Sequence, residues 1–274
     1  MKLQSLIGRE NALEESSLML RVFVEQLHPA IVGALLVTCS DETERSCEEA
    51  FQRCFVSPLL PPLKREERGA FHTCNLGARY EWGSIRIAEE HFTPPHPQGV
   101  KMLVVKINSH VAIRRRADGP EFGWLQRYGV ESACCGALAA MLEGSTLSAI
   151  RELAHLFAEG RNRQHILSDM RQVPLEHRAL VAAAVNARLQ VERAVMDLME
   201  HAPRSPAIFL LLPCVTFNRF DAPDTELVVG LYAVDWTGKT PAVKYQGLGS
   251  DPASYHVRCE QQTILVGDAS FTPH

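Results

Sequence analysis

One stretch constrains this chain more than any other: Ile31-Val32-Gly33-Ala34-Leu35-Leu36-Val37, an apolar and partly β-branched run. It is strand-sized and shows no polar alternation, so it has to be covered on both faces, as strands of a parallel sheet are. It hands its carboxyl end to Thr38-Cys39-Ser40-Asp41, and a helical pattern from about Glu42 to Phe55 follows. Met102 to Ile107 repeats the strand pattern and ends on Asn108-Ser109-His110. Before these, residues 9 to 27 read as an amphipathic helix carrying Leu13, Leu20, Val22 and Phe23, stopped by Pro29.

The rest of the chain alternates in the same way. A short strand is expected over Phe71 to Cys74 and a helix from about Ala78 to His91. The segments around Pro58 to Glu67 and Thr93 to Pro97 read as loops, as does a glycine-bearing stretch with Gly119, Gly123 and Gly129. That last loop leads to Cys134-Cys135-Gly136, where a long helix should begin. Residues 146 to 202 read as helical with a break near Pro174, and strands are expected at Ala207 to Cys214, Glu226 to Val234 and Thr263 to Val266. The implied fold is α/β, with a mixed, largely parallel central sheet flanked by helices. The organisation expected is an N-terminal helical arm over 1–29, an α/β domain over 30–245 with a helical insertion at about 146–202, and a C-terminal extension over 246–274.

Composition narrows the function classes. Across 274 residues the chain is 46% hydrophobic and 22% charged, which is ordinary for a globular protein, and its net charge of -4 argues against general binding to nucleic acid or an anionic membrane. Arg114-Arg115-Arg116 is a lone basic cluster without interleaved aromatic residues, and reads as a solvated loop rather than a phosphate site. The early charges Arg9, Glu10, Glu14 and Glu15 leave no signal-peptide core, and no apolar run reaches the roughly 20 residues of a membrane helix. A cytoplasmic, reducing setting is therefore expected, in which the eight cysteines serve as buried fillers or metal ligands rather than disulfides.

Three of the possible ligands fall where reactive groups of α/β sheets gather, just past strand carboxyl ends. Cys39, with Asp41 close behind, follows the first apolar strand; His110 follows the second; Cys135 sits at a loop-to-helix turn. Two thiolates and one imidazole suit Zn2+, and three protein ligands leave the fourth position open, as in catalytic zinc sites. A helix N-terminus at Cys135 would favour its thiolate. Other arrangements remain open on these grounds: each cysteine as an apolar filler, Asp41 as a helix N-cap, and His72 with Cys74 making a rival site with Cys39. A redox pair at Cys134-Cys135 is a further alternative, without the usual Cys-x-x-Cys spacing.

The order of these segments resembles the β-class carbonic anhydrases and their divergent relatives, among them the limiting-carbon-dioxide-inducible and carboxysomal proteins. Val37-Thr38-Cys39-Ser40-Asp41 is similar to the start of the family's Cys-x-Asp-x-Arg strand end, Val104 to His110 to its histidine strand, and Cys135-Gly136-Ala137-Leu138 to its Cys-Gly helix start. Glu226 to Val234 followed by Asp235-Trp236-Thr237-Gly238 is similar to a later strand and Thr-Gly turn. The resemblance covers roughly residues 30 to 245 and departs in two places: twenty-four residues lie between His110 and Cys135, and Thr43 stands where the family has an arginine.

The resemblance implies zinc held by Cys39, His110 and Cys135, and reversible hydration of carbon dioxide to bicarbonate by a zinc-bound hydroxide. Asp41 would accept a hydrogen bond there, kept off the metal by an arginine such as Arg45, Arg79 or Arg86. Independently of the resemblance, the titration range of imidazole makes His72 or His91 a candidate proton shuttle. It also implies a homodimer with the N-terminal helix lying across the partner. Alternatives are a non-catalytic zinc-binding sensor or scaffold in which Asp41 closes the site, and a zinc hydrolase of another small substrate.

Overall fold

A computed structural model describes residues 6–59, 70–91, 100–116, 119–127, 129–135, 138, 177–247, 254–259 and 262–268. Strand β1 (Glu10–Ala12) leads directly into helix α1 (Leu13–Gln26), and the double-sided run becomes strand β2 (Ile31–Cys39). A 3-10 turn (Glu42–Glu44), helix α2 (Arg45–Phe51) and a π-helical turn (Gln52–Val56) follow. Then come strand β3 (Phe71–Asn75), helix α3 (Trp82–His91) and the long strand β4 (Lys101–Arg116).

Strands β2, β3 and β4 are parallel, with Val37 beside Thr73 and Ile107. Strand β8 (Ala207–Arg219) lies parallel to β4 on its other side, after helix α4 (Arg178–Glu200). Antiparallel strands complete the sheet: β9 (Thr225–Val228) and β10 (Gly230–Asp235) both pair with β8, β1 pairs with β9, and β11 (Ala242–Gly247) pairs with β10. The order is β1-β9-β8-β4-β2-β3, so the apolar runs of β2, β4 and β8 sit at the centre, as their lack of alternation requires.

Each face of the sheet carries its own helices. On one, Leu20 and Val24 of α1 and Phe51 and Phe55 near α2 pack on Leu36, Val104, Leu210 and Leu212. On the other, Ile85 of α3 and Val191, Ala194 and Leu198 of α4 cover Leu35, Val37, Val105, Ile107 and Leu211. Each buried side chain of this size contributes about 1.5–3 kcal/mol. Within the N-terminal segment β1 pairs with β9 of the main sheet, and Met19, Leu20 and Val24 of α1 pack on this chain's own core.

Several expectations are corrected. Strand β4 does not stop at His110 but runs on to Arg116, and the supposed glycine loop is strand β5 (Gly119–Phe122), then β6 (Trp124–Arg127) and β7 (Val130–Ala133). The stretch Glu226 to Val234 is interrupted at Val229, where the register against β8 shifts by one residue between Cys214↔Val228 and Leu211↔Tyr232. Pro213 sits opposite with no N–H to give, and its carbonyl takes the Val229 N–H at 2.8 Å. Residues 254–259 and 262–268 pair as a hairpin, β12 with β13. The expected helix start at Gly136 and the helical stretch 146–176 lie outside the described residues. No described helix is long and apolar enough to cross a membrane.

Candidate metal centre

Strand β2 ends at Cys39 while β4 and β8 run on, so the sheet has a step at which β4 presents residues beyond its neighbour's end. His110 stands there, beside Thr216 of β8. The twenty-four residues between His110 and Cys135 do not carry the chain away, because they fold as two hairpins that return it. Strand β5 doubles back along β4 with Phe122 opposite Ile113, and β6 and β7 make a second ribbon. Gly123 joins the two at φ 93°, donating its N–H to Ala112 O at 2.8 Å and accepting from Cys134 N at 2.9 Å, while Ala112 N reaches Cys134 O at 3.1 Å. Cys134 and Cys135 are thus tied to the strand two residues past His110.

The outcome is a convergence of the three expected ligands. One ligand atom each from Cys39, His110 and Cys135 lies within 4.8 Å of the others, all three residues are buried, and the two Sγ atoms are 3.7 Å apart. The turn after β3 supplies a further donor. Gly77 and Ala78 are both left-handed, at φ 66° and 58°, which aims the Gly77 N–H at Cys39 Sγ at 3.1 Å. Asn186 of α4 fixes that turn, donating to Gly77 O at 2.8 Å and to Ser109 Oγ at 2.9 Å.

The electrostatics follow from these contacts. Cys39 is held down to about 4, first by the hydrogen bond from Cys135, then by His110 and the Gly77 N–H, against the upward pull of burial. The same shared proton, with burial, raises Cys135. In the metal-free protein the two sulfurs thus share one proton, and the helix start expected after Cys135 lies outside the described residues. Burial works against charge on His110, but the sulfurs of Cys135, Cys134 and Cys39 outweigh it and raise the ring's pKa.

A ring-nitrogen assignment shows that the residues fit a metal. Asn218 Nδ2 donates to the backbone carbonyl of Thr43 at 3.0 Å, so Asn218 Oδ1 is an acceptor, and it lies 3.0 Å from His110 Nδ1. In the neutral ring, Nδ1 then carries the proton and Nε2 a bare lone pair. Nε2 is buried and makes no hydrogen bond of ordinary geometry among the described residues, so its lone pair is placed to take a cation, a metal ion or the proton that the neighbouring sulfurs favour. An outward Nδ1–H on an amide oxygen is also how metal-bound histidines are usually oriented.

Asp41 and Arg45, the two residues expected to assist, take different places. Asp41 caps the 3-10 turn, accepting from Thr43 N at 3.2 Å and Thr43 Oγ1 at 3.1 Å, and its carboxylate groups with His110 and Cys134 rather than with Cys39 and Cys135. Arg45 points into solvent, its side chain 82% exposed, and pairs with Glu49 at 3.0 Å. Arg86 pairs with Glu89, and the Arg79 guanidinium lies 3.9 Å from Glu81. His72 contacts Thr38 and Glu48, and His91 packs edge-on against Phe71; neither joins the ligand set.

Four further residues line the site, of which sequence reasoning passed over Asn218 and Glu44. Thr43 Oγ1 lies 3.2 Å from His110 Nδ1, Asn218 orients the ring, and Cys134 Sγ is 3.4 Å from Nδ1. Glu44 is fully buried, hydrogen-bonded by Asn108 and 3.9 Å from His110 Nδ1; burial pushes its carboxyl up to about 8, so it holds its proton at neutral pH. The overlooked signal was the alternation Lys106, Asn108, His110 on β4, matched by Thr216 and Asn218 on β8, which marks a buried polar stripe.

No family model matches the chain, and no curated protein matches it. Among solved structures it is similar to PtLCIB4, a homolog of the limiting CO2-inducible protein LCIB, at TM-score 0.63 and 15% identity over 88% of this chain and 97% of that one. LCIB itself aligns at TM-score 0.53 and 13% identity over 89% and 97%. This chain has the fold of the limiting CO2-inducible proteins. The β-carbonic anhydrase CcaA aligns at TM-score 0.39 and 14% identity over 78% of this chain and 84% of that one, too loosely to carry an argument. The mixed α/β sheet flanked by helices, expected from the order of motifs, is the sheet that the limiting CO2-inducible fold and this chain share.

Proposed function

We propose that the chain holds one zinc ion through Cys39 Sγ, His110 Nε2 and Cys135 Sγ and catalyses the reversible hydration of carbon dioxide to bicarbonate. The observation that carries this reading is the unpartnered, buried Nε2 beside two thiols, with Nδ1 already committed to Asn218. Zinc with three protein ligands supplies a water acidified to a pKa of about 7, a nucleophile suited to a small electrophilic carbon.

The chain's own groups have defined parts in this reading. Gly77 N–H stabilises the charge on Cys39, and Asn218 fixes the His110 ring. Thr43 holds Asp41 Oδ1 by two hydrogen bonds, which keeps the carboxylate beside the ligand set as an acceptor and out of it; this is the work assigned in the resemblance to an arginine. That supports an open fourth position, and with it the enzyme over the closed scaffold.

Stopped-flow carbon dioxide hydration tests the proposal. The purified protein should accelerate hydration in proportion to its zinc content, and Cys39→Ala should return the rate to that of buffer. Stoichiometric zinc with no rate above buffer would leave the scaffold reading in its place. Thr43→Val should keep the zinc and lose most of the rate, since Asp41 is then released.

A further inference from the structure

A second set of ligand atoms lies outside the site described above. Residues 72 and 74 alternate on β3, so His72 and Cys74 share a face, and Glu48 of α2 reaches the same spot. One ligand atom from each lies within 4.8 Å of the other two. The group is compact: His72 Nε2 is 3.1 Å from Glu48 Oε1 and 2.8 Å from Thr38 Oγ1, and Thr38 Oγ1 is 3.3 Å from Glu48 Oε1. It is also open to solvent, since the His72 and Glu48 side chains are about one-third exposed and Cys74 is exposed. Strand β3 stands at the end of the sheet order, which leaves this face outside the central core.

We propose that Glu48, His72 and Cys74 form a second, solvent-facing site for a borderline divalent cation, Zn2+ being the best match. Sulfur, imidazole and carboxylate ligands together select this class over Mg2+ or Ca2+, which take oxygen alone. Three protein ligands from a strand and a helix leave a fourth position for water. Among the described residues Glu48 pairs with His72 and with no lysine or arginine, so its carboxylate and the ring lie together at the proposed site. The site is separate from the buried one: Thr38, its neighbour, and Cys39 are consecutive on β2 and face opposite sides of the sheet. Capturing the ion expels the Cys74 thiol proton, now given to Cys39 O at 3.4 Å, to bulk water, and the thiolate takes the metal.

The test is a metal titration of the full chain after chelator treatment, with Zn2+ followed by a competing chromophore and Co2+ by its thiolate charge-transfer absorption. Cys74→Ser and His72→Ala should each bind one equivalent of Zn2+ fewer than the parent, or bind the weaker equivalent at least tenfold less tightly. Cys74→Ser should also lose about one third of the Co2+ charge-transfer intensity where both sites fill, one thiolate of three, and all of it where the buried site does not. Measured in a Cys39→Ser background, which removes the buried equivalent, the same two substitutions should abolish the remaining one. Unchanged stoichiometry, affinity and Co2+ spectrum in both variants would overturn the proposal. Circular dichroism of each variant, with substitutions confined to an exposed strand face, checks that the loss is not a loss of fold.

Discussion

Asn218 governs the chemistry of His110 through one asymmetry: its amide nitrogen is committed to a backbone carbonyl, so its oxygen must accept from the ring. Asn218→Ala should therefore weaken zinc binding about 10–100-fold with the fold intact, read by competition with a zinc indicator. Glu44 makes a prediction about pH. Its carboxyl titrates at about 8 in the folded chain against 4.5 unfolded, because burial disfavours its charge. Between those values the native state holds a proton that the unfolded state has lost, so stability contributed below 4.5 falls away as pH rises through about 8. Urea unfolding of the metal-free protein should show that decline, and Glu44→Gln should flatten it. A Glu44→Gln protein with the same slope would refute the assignment.

At the scale of elements, the site depends on hairpins that return the chain to β4, and Gly123 is their pivot. A Cβ there would meet Ala179 Cβ of α4 at 2.9 Å, on a backbone at φ 93° that branched residues resist. Gly123→Val should therefore lower zinc stoichiometry and shift the urea midpoint, although residue 123 touches no ligand side chain. Lys106 pairs with Glu226 inside the sheet and lies 3.3 Å from Cys47 Sγ. Lys106→Ala leaves that carboxylate buried and unpaired, and should cost about 3–5 kcal/mol by urea denaturation.

These elements also show what was legible beforehand. The double-sided runs of β2, β4 and β8 announced a parallel centre, since only burial on both faces tolerates such sequences. The true length of β4 was hidden because Asn108, Ser109 and His110 look like a strand end; their partners Glu44, Thr216 and Asn218 come from far along the chain. Cys39, His110 and Cys135 could be read as candidates from strand-end positions, whereas Thr43 and Asn218 are set by tertiary hydrogen bonds that no local pattern encodes. Arg45 failed as Asp41's partner because its helix turns it outward to Glu49, and Thr43 took that place.

Across the whole molecule, the buried site joins the end of β2, the extension of β4 and the close of the second hairpin, so a metal there ties together segments from opposite ends of a long stretch of chain. Any ligand that binds only the folded state stabilises it, by about 2.7 kcal/mol at a hundred times its dissociation constant. Thermal unfolding should accordingly rise with added Zn2+ and fall with chelator, and Cys39→Ala should abolish most of that response. The most direct measurement is zinc X-ray absorption on the Cys74→Ser protein, in which the buried site reports alone. It should show two sulfurs near 2.3 Å, one imidazole nitrogen near 2.0–2.1 Å and one further light atom, lost in Cys39→Ala. Protein without stoichiometric zinc, or a spectrum indifferent to loss of Cys39, His110 and Cys135, would contradict the account.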